Sequence, residues 1–303
     1  MKHVLVAVPN DQELAARLGK KGSSNGITFY NRKDGESVFA ILTPTDAEKK
    51  FNSVAEVLTI SDNIVVSTKS IDRLFGESII GCGLLGKQAI LTADQDASSI
   101  MQKSGLHSTV VEEDRLLSYL GAQQADSSGD PIVEVDHSFD VKGVGVVLLG
   151  VVRSGVVKVH DELFCSSGKR VTIRSLQSQD QDINEAGTNT RVGIAIKGAE
   201  SDEISKGDLL SRAEIRRTQR IKANISISGL VKDKDLSYSE LWLVCGFRSS
   251  ACKMSKEGDY FEISMAAQLA MRPGEKFLLV RKESPRIFAC GTVKWLKLGE
   301  EAL

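Results

Sequence analysis

The chain has 303 residues, enough for two or three domains with their own cores. Its content of 41% hydrophobic and 26% charged residues is ordinary for a soluble globular protein. A formal net charge of -1 excludes a bulk attraction to nucleic acid, so any RNA-binding surface has to be local.

The sequence indicates neither a membrane protein nor a secreted one. No stretch approaches the ~20 apolar residues of a membrane span, and the opening MKHVLVAVPNDQ has too short an apolar core for a signal peptide. The five cysteines contain no CxxC pair, and none of the four histidines lies near a cysteine at zinc-ligand spacing. We therefore expect a cytoplasmic protein with reduced, buried thiols and no metal site, and neither a membrane nor DNA as its partner.

Residues 1–124 alternate short apolar runs with amphipathic segments. Continuous β-branched runs between amphipathic helices are typical of a parallel sheet covered by helices. The predicted strands are HVLVAV, SVFAIL, NIVVS, QAILTA and HSTVVE. The predicted helices are ELAARLG, DAEKKFNSVAEVL, IDRLFGESIIGCGLLG, DASSIMQKSG and EDRLLSYLGAQ. This pattern predicts an α/β domain with a Rossmann-like parallel sheet.

The segment QQADSSGDP, residues 123–131, is polar, contains glycine and serine and ends in proline, as interdomain linkers do. Beyond it, residues 131–213 carry β-branched runs with turn signals about every eight to twelve residues, which predicts an antiparallel barrel. The segment LLSRAEIRRTQRIK marks a second junction, and residues 216–303 are again rich in predicted strands. We therefore predict an α/β domain over 1–124 and two β-barrels over 131–213 and 216–303.

The stretch RLGKKGSS, residues 17–24, suggests a phosphate-binding loop at first sight. Such a loop, GxxxxGK[ST], follows the first strand directly, because its backbone N–H groups have to surround the phosphates. Here PNDQE, which has no glycine, takes that place, and RLGKKGSS lies one helix later. Asn10 and Glu13 instead predict a capping box at the start of the first helix, and Gly19 predicts its C-cap.

The central domain carries a family resemblance. Its stretches VDHSFDVKGVGVVLLGVVRSGVVKVHDEL and IRSLQSQDQDINEAGTNTRVGIAIKGAESDEISKGDLLS resemble the second domain of elongation factor Tu, above all its selenocysteine-specific branch and methanogen relatives. The segment RPGEKFLLVRKESPRIFACGTV resembles the third domain more loosely, and GKKGSSNGITFYN resembles the first switch segment. The resemblance implies a translation-factor architecture, a P-loop GTPase-type domain followed by two β-barrels.

The resemblance also implies a GTP site, but the sequence departs from the family at the nucleotide motifs. The family's DxPG falls at ILTPTD, with Leu42 in place of the aspartate and Thr45 in place of the glycine. The guanine-reading [NT]KxD falls at LTADQD, with Ala93 in place of the lysine and Gln95 in place of the acid. Because the phosphate loop is missing as well, we expect a degenerate GTPase domain that has no GTP or Mg²⁺ cofactor and is not an enzyme.

In the resembling family, the second domain holds the aminoacyl end of a charged tRNA and the third contacts its stem. By position, Glu185 matches the acid that packs on the terminal adenosine, and Arg174 and Arg191 lie near it in sequence, whereas Ala186-Gly187 departs from the family. Basic residues of the third domain could contact phosphates: Arg216, Arg217, Arg220, Lys222, Arg281, Lys282 and Arg286. The alternative for both sets is an ordinary solvated turn or charged face.

Three functions remain open from the sequence. The first is a translation elongation factor-like protein that binds tRNA or ribosomal RNA without GTP hydrolysis. The second is a protein-interaction scaffold, or a regulator of a true elongation factor, whose partner is another translation factor. The third is a divergent elongation factor that still binds GTP.

Overall fold

The computed structural model describes residues 1–123, 125–229 and 240–297, which form an α/β domain and two β-barrels in chain order. This confirms the predicted fold class. Within the described residues, no helix has the length and apolar character needed to cross a membrane.

The α/β domain is built on one seven-stranded sheet with the order β2-β3-β4-β1-β5-β6-β7. Its strands are β1 (Lys2–Ala7), β2 (Lys20–Asn25), β3 (Ile27–Asp34), β4 (Ser37–Pro44), β5 (Asn63–Val66), β6 (Ala89–Leu91) and β7 (Ser108–Val110). Its helices are α1 (Gln12–Leu18), α2 (Asn52–Ile60), α3 (Arg73–Leu85), α4 (Ser98–Ser104) and α5 (Leu116–Ala122). The strands β4, β1, β5, β6 and β7 are parallel, as predicted.

The central strand β1 is buried on both faces, which explains its continuous run of apolar residues. Leu5 and Ala7 pack on the side of α2 and α3, whereas Val4 and Val6 pack on the side of α1 and α5. The sheet is therefore the middle layer of a three-layer domain. The loop that follows β1, where a phosphate-binding loop would lie, is at the edge formed by the carboxyl ends of the parallel strands.

Two features of the α/β domain differ from the prediction. The segment RLGKKGSSNGITFYN contains two strands, β2 and β3, which join β4 as an antiparallel extension of the sheet. Helix α2 begins at Asn52 and not at Asp46, because residues 46–50 close a turn in which the Lys50 N–H donates to the Asp46 carbonyl at 2.9 Å. The hairpin β2–β3 extends the domain toward the first barrel.

The first barrel closes because β11 pairs with both β12 and β16 in the order β11-β16-β8-β9-β15-β12, and β13 extends β12. Val133, Leu148, Ile173 and Ile194 are fully buried inside it. The strands are β8 (Ile132–Val141), β9 (Gly145–Ser154), β10 (Val156–Lys158), β11 (Glu162–Cys165), β12 (Arg170–Ser178), β13 (Gln181–Ile183), β14 (Glu185–Gly187), β15 (Arg191–Lys197) and β16 (Leu209–Ser211).

The second barrel is closed in the order β17-β20-β19-β18-β21-β22. Leu243, Ile263, Phe277 and Phe288 are fully buried inside it. Its strands are β17 (Arg217–Ile227), β18 (Leu241–Cys245), β19 (Arg248–Glu257), β20 (Tyr260–Ala270), β21 (Lys276–Val280) and β22 (Ile287–Lys297). Both barrels pack against the α/β domain, so that clefts form where the three meet.

Candidate nucleic-acid interface

The edge of the sheet after β1, where a phosphate loop would lie, is filled by the chain's own side chains. Asp11 caps α1, since its Oδ1 accepts a hydrogen bond from the Leu14 N–H at 2.8 Å. The Asn10 amide donates to the Ser67 carbonyl at 2.8 Å and accepts from the Ser67 N–H at 3.0 Å. Ser67 also donates its hydroxyl hydrogen to Asp11 Oδ2 at 2.8 Å.

The predicted capping box of Asn10 and Glu13 is therefore wrong. The cap is Asp11, one residue later, and Glu13 forms an exposed ion pair with Lys69 at 2.6 Å. Asn10 is drawn away from the helix because it bridges to the loop after β5. The predicted C-cap is confirmed, because the Gly19 N–H donates to the Ala15 carbonyl at 3.2 Å.

The next two strand ends, after β5 and β6, are joined in the same way. The Thr68 N–H donates to Thr92 Oγ1 at 2.7 Å, and the Thr92 hydroxyl donates to Asp94 at 2.6 Å. Gln95 donates its backbone N–H to Thr68 Oγ1 at 3.1 Å and its side-chain amide to the Lys69 carbonyl at 2.7 Å. Polar groups at this edge thus bind one another, and the carboxylates among them repel a phosphate.

The three candidates of the first barrel are not brought together. Arg174 is exposed and donates to the Val144 carbonyl at 2.9 Å. Glu185 lies on the β10–β14 ribbon and pairs with Lys158 at 3.0 Å.

Arg191 lies inside the contact between the first barrel and the α/β domain. It pairs with Asp136 at 2.6 Å, its guanidinium stacks 3.9 Å from the Phe29 ring centroid, and only 12% of its side chain is exposed. Burial lowers the pKa of the Arg191 guanidinium from its usual range, although the nearby Asp136 opposes this effect. The geometry makes Arg191 an anchor between two domains and leaves it little surface for a ligand.

Basic residues at the start of the second barrel are dispersed along β17 and just before it. Three of them pair with acids: Arg216 with Glu214 at 3.1 Å, Arg217 with Asp208 at 2.5 Å and Lys222 with Glu257 at 2.9 Å. Arg220 is exposed on the same strand. Their charges are largely balanced by their neighbours.

The last three candidates converge. Arg281, Lys282 and Arg286 line one cavity of about 770 Å³, to which the α/β domain and the first barrel also contribute basic side chains. We call it the junction cavity, and its six basic residues are Lys49, Lys50, Lys206, Arg281, Lys282 and Arg286. Two acidic residues, Glu48 and Glu56, also line it, so the cavity carries an excess of positive charge.

Aromatic rings hold two of the arginines of the junction cavity in place. The Arg286 guanidinium lies 4.8 Å from the Phe51 ring centroid, and that of Arg281 lies 5.1 Å from the Phe288 centroid. Among the described residues, the buried Arg286 Nε has no hydrogen-bond partner. Trp242 lies at the rim with 40% of its surface exposed.

The other cationic residues of the junction cavity have protein partners in part. Lys206 pairs with Glu56 at 2.7 Å, and burial raises the pKa of the Glu56 carboxyl. Lys282 pairs with Glu240 and remains exposed. The sequence did not point to Lys49, Lys50 and Lys206, because residues 49–50 and 206 lie in two separate surface segments that meet residues 281–286 only in the folded chain.

A second cavity, which we call the hairpin cavity, has a volume of about 540 Å³ and lies between the hairpin β2–β3 and the first barrel. The α/β domain contributes Lys20, Lys21, Arg32 and Lys33, and the barrel contributes residues 177–180, 189 and 191–193, Arg191 among them. Gln179 and Asp180 have φ of 50° and 60°, and the Gln179 amide donates to the Arg32 carbonyl at 3.3 Å. Glu185, the acid predicted from the resemblance, does not line this cavity.

Comparison with known proteins identifies the first barrel. Residues 145–211, from β9 to β16, match the family described as elongation factor Tu domain 2. Over 101 residues the chain is 32% identical to the selenocysteine-specific elongation factor of Methanocaldococcus jannaschii, which covers 32% of this chain and 22% of that one. The first barrel therefore belongs to the elongation factor Tu domain 2 family, and the chain is similar to selenocysteine-specific elongation factors. The resemblance stated from the sequence is confirmed.

Two further similarities extend over nearly the whole chain. An uncharacterized protein of Methanocaldococcus jannaschii is 27% identical over 276 residues, which cover 87% of this chain and 90% of that one. The crystal structure of SelB from Methanococcus maripaludis in complex with the GTP analogue GPPNHP has a TM-score of 0.78, with 17% identity, 98% coverage of this chain and 80% of that one. At that identity, the structural likeness shows the fold alone.

Proposed function

We propose that this SelB-like chain is a translation-factor-like protein that binds the end region of a tRNA and neither binds nor hydrolyses GTP. The observation that carries the proposal is the junction cavity, which is lined by six basic residues from all three domains. Five of them are exposed or half-buried, whereas Arg281 is buried. Homology to translation factors supports a partner in translation. The cytoplasmic location expected from the sequence belongs to the same proposal.

The dimensions and chemistry of the junction cavity suit a phosphate-bearing chain end. A volume of about 770 Å³ is within the range of ligand sites and leaves room for a nucleotide. Lysine and arginine side chains supply most contacts to nucleic-acid phosphates, and an exposed tryptophan at the rim offers a stacking surface for a base, worth about 1–3 kcal/mol. The hairpin cavity is lined by five more basic residues, Lys20, Lys21, Arg32, Lys33 and Arg191.

The expected lack of a nucleotide cofactor is supported by the filled edge of the sheet. A triphosphate would need free backbone N–H groups at this edge, but Asp11 already occupies the Leu14 N–H after β1, and Asn10 occupies the Ser67 N–H after β5. Ala93 and Gln95 stand where a guanine-reading lysine and acid would be required. Binding of GTP would have to break several of these hydrogen bonds and approach Asp11 and Asp94.

The proposal can be tested by fluorescence anisotropy with labelled aminoacylated and deacylated tRNA at rising KCl concentration. We expect salt-dependent binding that is weakened by Lys50→Ala and by Arg286→Ala, each reducing the salt slope by about one. The matched control is Lys103→Ala on α4, an exposed lysine that lines neither cavity. Absence of binding at low salt, or equal binding by all three variants, would reject the RNA proposal and favour the protein scaffold.

The nucleotide part of the proposal has its own test. Equilibrium dialysis with GTP and GDP in the presence of Mg²⁺ should give no saturable binding up to about 1 mM nucleotide, the level of a weak ligand. Saturable binding in the micromolar range would refute this part and favour the divergent GTP-binding factor, whatever the RNA result.

A further inference from the structure

The C-terminal end of α2 is held by one side chain of its own domain and one of the first barrel. The last carbonyls of a helix have no partner within it. Here Arg153 of the first barrel donates to the carbonyls of Thr59, at 3.3 Å, and Ile60. Lys87 donates to those of Leu58 at 2.9 Å and Ser61 at 2.6 Å. The first barrel, through Arg153, therefore supplies hydrogen-bond donors that carbonyls at the end of α2 would otherwise lack.

The second barrel reaches the same helix end. The Gly246 N–H donates to Thr59 Oγ1 at 2.9 Å. Gly246 has a φ of 58°, and a Cβ at this position would overlap the Glu134 carboxylate of the first barrel. Glu134 is fully buried and accepts from the Phe247 N–H at 2.6 Å and from Arg248 Nε at 3.1 Å. All three domains thus meet at one place, through Thr59 of the α/β domain, Glu134 of the first barrel and residues 246–248 of the second.

The charge of Glu134 is balanced inside this contact. Arg248, which is only 3% exposed, also pairs with Glu275 at 2.7 Å, and Arg153 lies 3.8 Å from Glu134. Separation of the barrels would break the Glu134–Arg248 pair and the bond from the Phe247 N–H, leaving Glu134 with Arg153 at 3.8 Å and Arg248 with Glu275. Breaking a buried ion pair by removing one partner is strongly destabilising.

A second attachment lies along α3. Glu77, 2% exposed, accepts from the backbone N–H groups of Arg286 at 2.6 Å and Ile287 at 2.8 Å in the second barrel. Lys276 of the same barrel donates its Nζ hydrogen to the Leu85 carbonyl at the end of α3, at 2.8 Å. The α/β domain is therefore tied to the second barrel at two helix positions.

The apolar interior is continuous across the same contacts. One buried cluster contains α2 and α3 residues together with Val151 of the first barrel and Val244, Leu278 and Ile287 of the second. Domains that move relative to one another usually meet in smaller and more polar interfaces, so a shared core indicates one rigid body.

We propose that the α/β domain and the two barrels are locked in a single arrangement, with Glu134 as the central acceptor, and that the protein works without rotation of its domains. The proposal goes beyond the proposed function, because it rests on the contacts between domains and not on RNA binding. A ligand can change the domain arrangement only if two arrangements exist that it binds with different affinity. The contacts between the domains leave only one arrangement.

Pulsed electron paramagnetic resonance on the full chain tests whether the three domains keep one fixed arrangement. The five native cysteines are buried, so spin labels can be directed to exposed positions by Gln102→Cys on α4, Asp202→Cys in the first barrel and Lys256→Cys in the second. Each pair of labels should give one narrow distance distribution, unchanged by tRNA or by GDP or GPPNHP with Mg²⁺. A second population, or a shifted distance with any of these additions, would overturn the proposal.

Two glycine variants test the role of Glu134. Gly246→Ala places a methyl group on Glu134 and should broaden the interdomain distances, whereas Gly258→Ala should not. The two positions are matched, since Gly258 has a φ of 59° but open space around it. If Gly246→Ala does not fold, Glu134→Gln gives the same readout. Unchanged distances in these variants refute Glu134 as the central acceptor, whereas narrow distances without tRNA binding refute only the proposed function.

Discussion

Replacement of Glu77 by alanine should lower the free energy of unfolding of the whole chain. The carboxylate accepts two hydrogen bonds, from the N–H groups of Arg286 at 2.6 Å and Ile287 at 2.8 Å, and 2% of the residue is exposed. Each buried N–H left without an acceptor costs about 1–3 kcal/mol. The loss of both gives an expected destabilisation of about 2–6 kcal/mol, with Glu77→Gln in between because its amide retains one acceptor oxygen.

Urea denaturation at neutral pH, followed by tryptophan fluorescence and by circular dichroism, measures this change. The matched control is Glu36→Ala, a carboxylate in the exposed turn between β3 and β4, which should shift the free energy by less than about 0.5 kcal/mol. If Glu77→Ala lies within 0.5 kcal/mol of the parent, a size expected for surface changes, the attachment of α3 to the second barrel does not stabilise the chain as argued.

Three further outcomes follow from buried groups. Burial would raise the pKa of Glu275, but the Arg248 guanidinium outweighs it and holds that pKa at about 2, below the usual 4.5. The stabilisation should therefore be complete above about pH 4.5 and decline toward pH 2, and Glu275→Gln should flatten this decline in acid titrations of stability. In thermal unfolding, Gly291→Ala should lower the free energy of unfolding by about 1–3 kcal/mol, because its methyl group would overlap the Phe277 ring. Gly76→Ala should raise it by about 0.5–1 kcal/mol, because the position on α3 has open space around it. The reverse order would contradict the packing at these two positions. A thiol reagent should modify none of the five cysteines before denaturation, because all are buried, and modification of the native chain would show that a thiol is accessible.

The elements of the α/β domain that the sequence predicted are those with strong apolar periodicity. The strand β1 and the helix α3 are examples, since each buries a face that its own residues define. The strand β2 has the residues KKGSSN, all exposed, and carries no such pattern. It becomes a strand only because β3 offers a backbone to pair with. Its existence depends on tertiary context that local sequence does not contain.

The sequence predicted that basic residues form the candidate site, but it did not predict which of them lie together in the folded chain. Arg281 and Arg286 were selected as basic residues, and the fold adds Lys50 and Lys206, which are far from them in sequence. Arg191 was selected in the same way, yet it lies between Asp136 and Phe29. Nothing in the local sequence distinguishes an arginine that faces solvent from one that anchors two domains, because the distinction is made by residues of another domain.

During synthesis, the α/β domain emerges with an unfinished interior. Eight of the nine residues of α2 are buried, and the surface that covers them includes Leu278, Val280 and Ile287, which are made long after α2. Until β21 and β22 arrive, the nascent chain exposes an apolar face, and such faces promote aggregation of partly folded chains. A prematurely terminated chain therefore cannot bury α2, which makes it a target for chaperones and proteases rather than a working fragment.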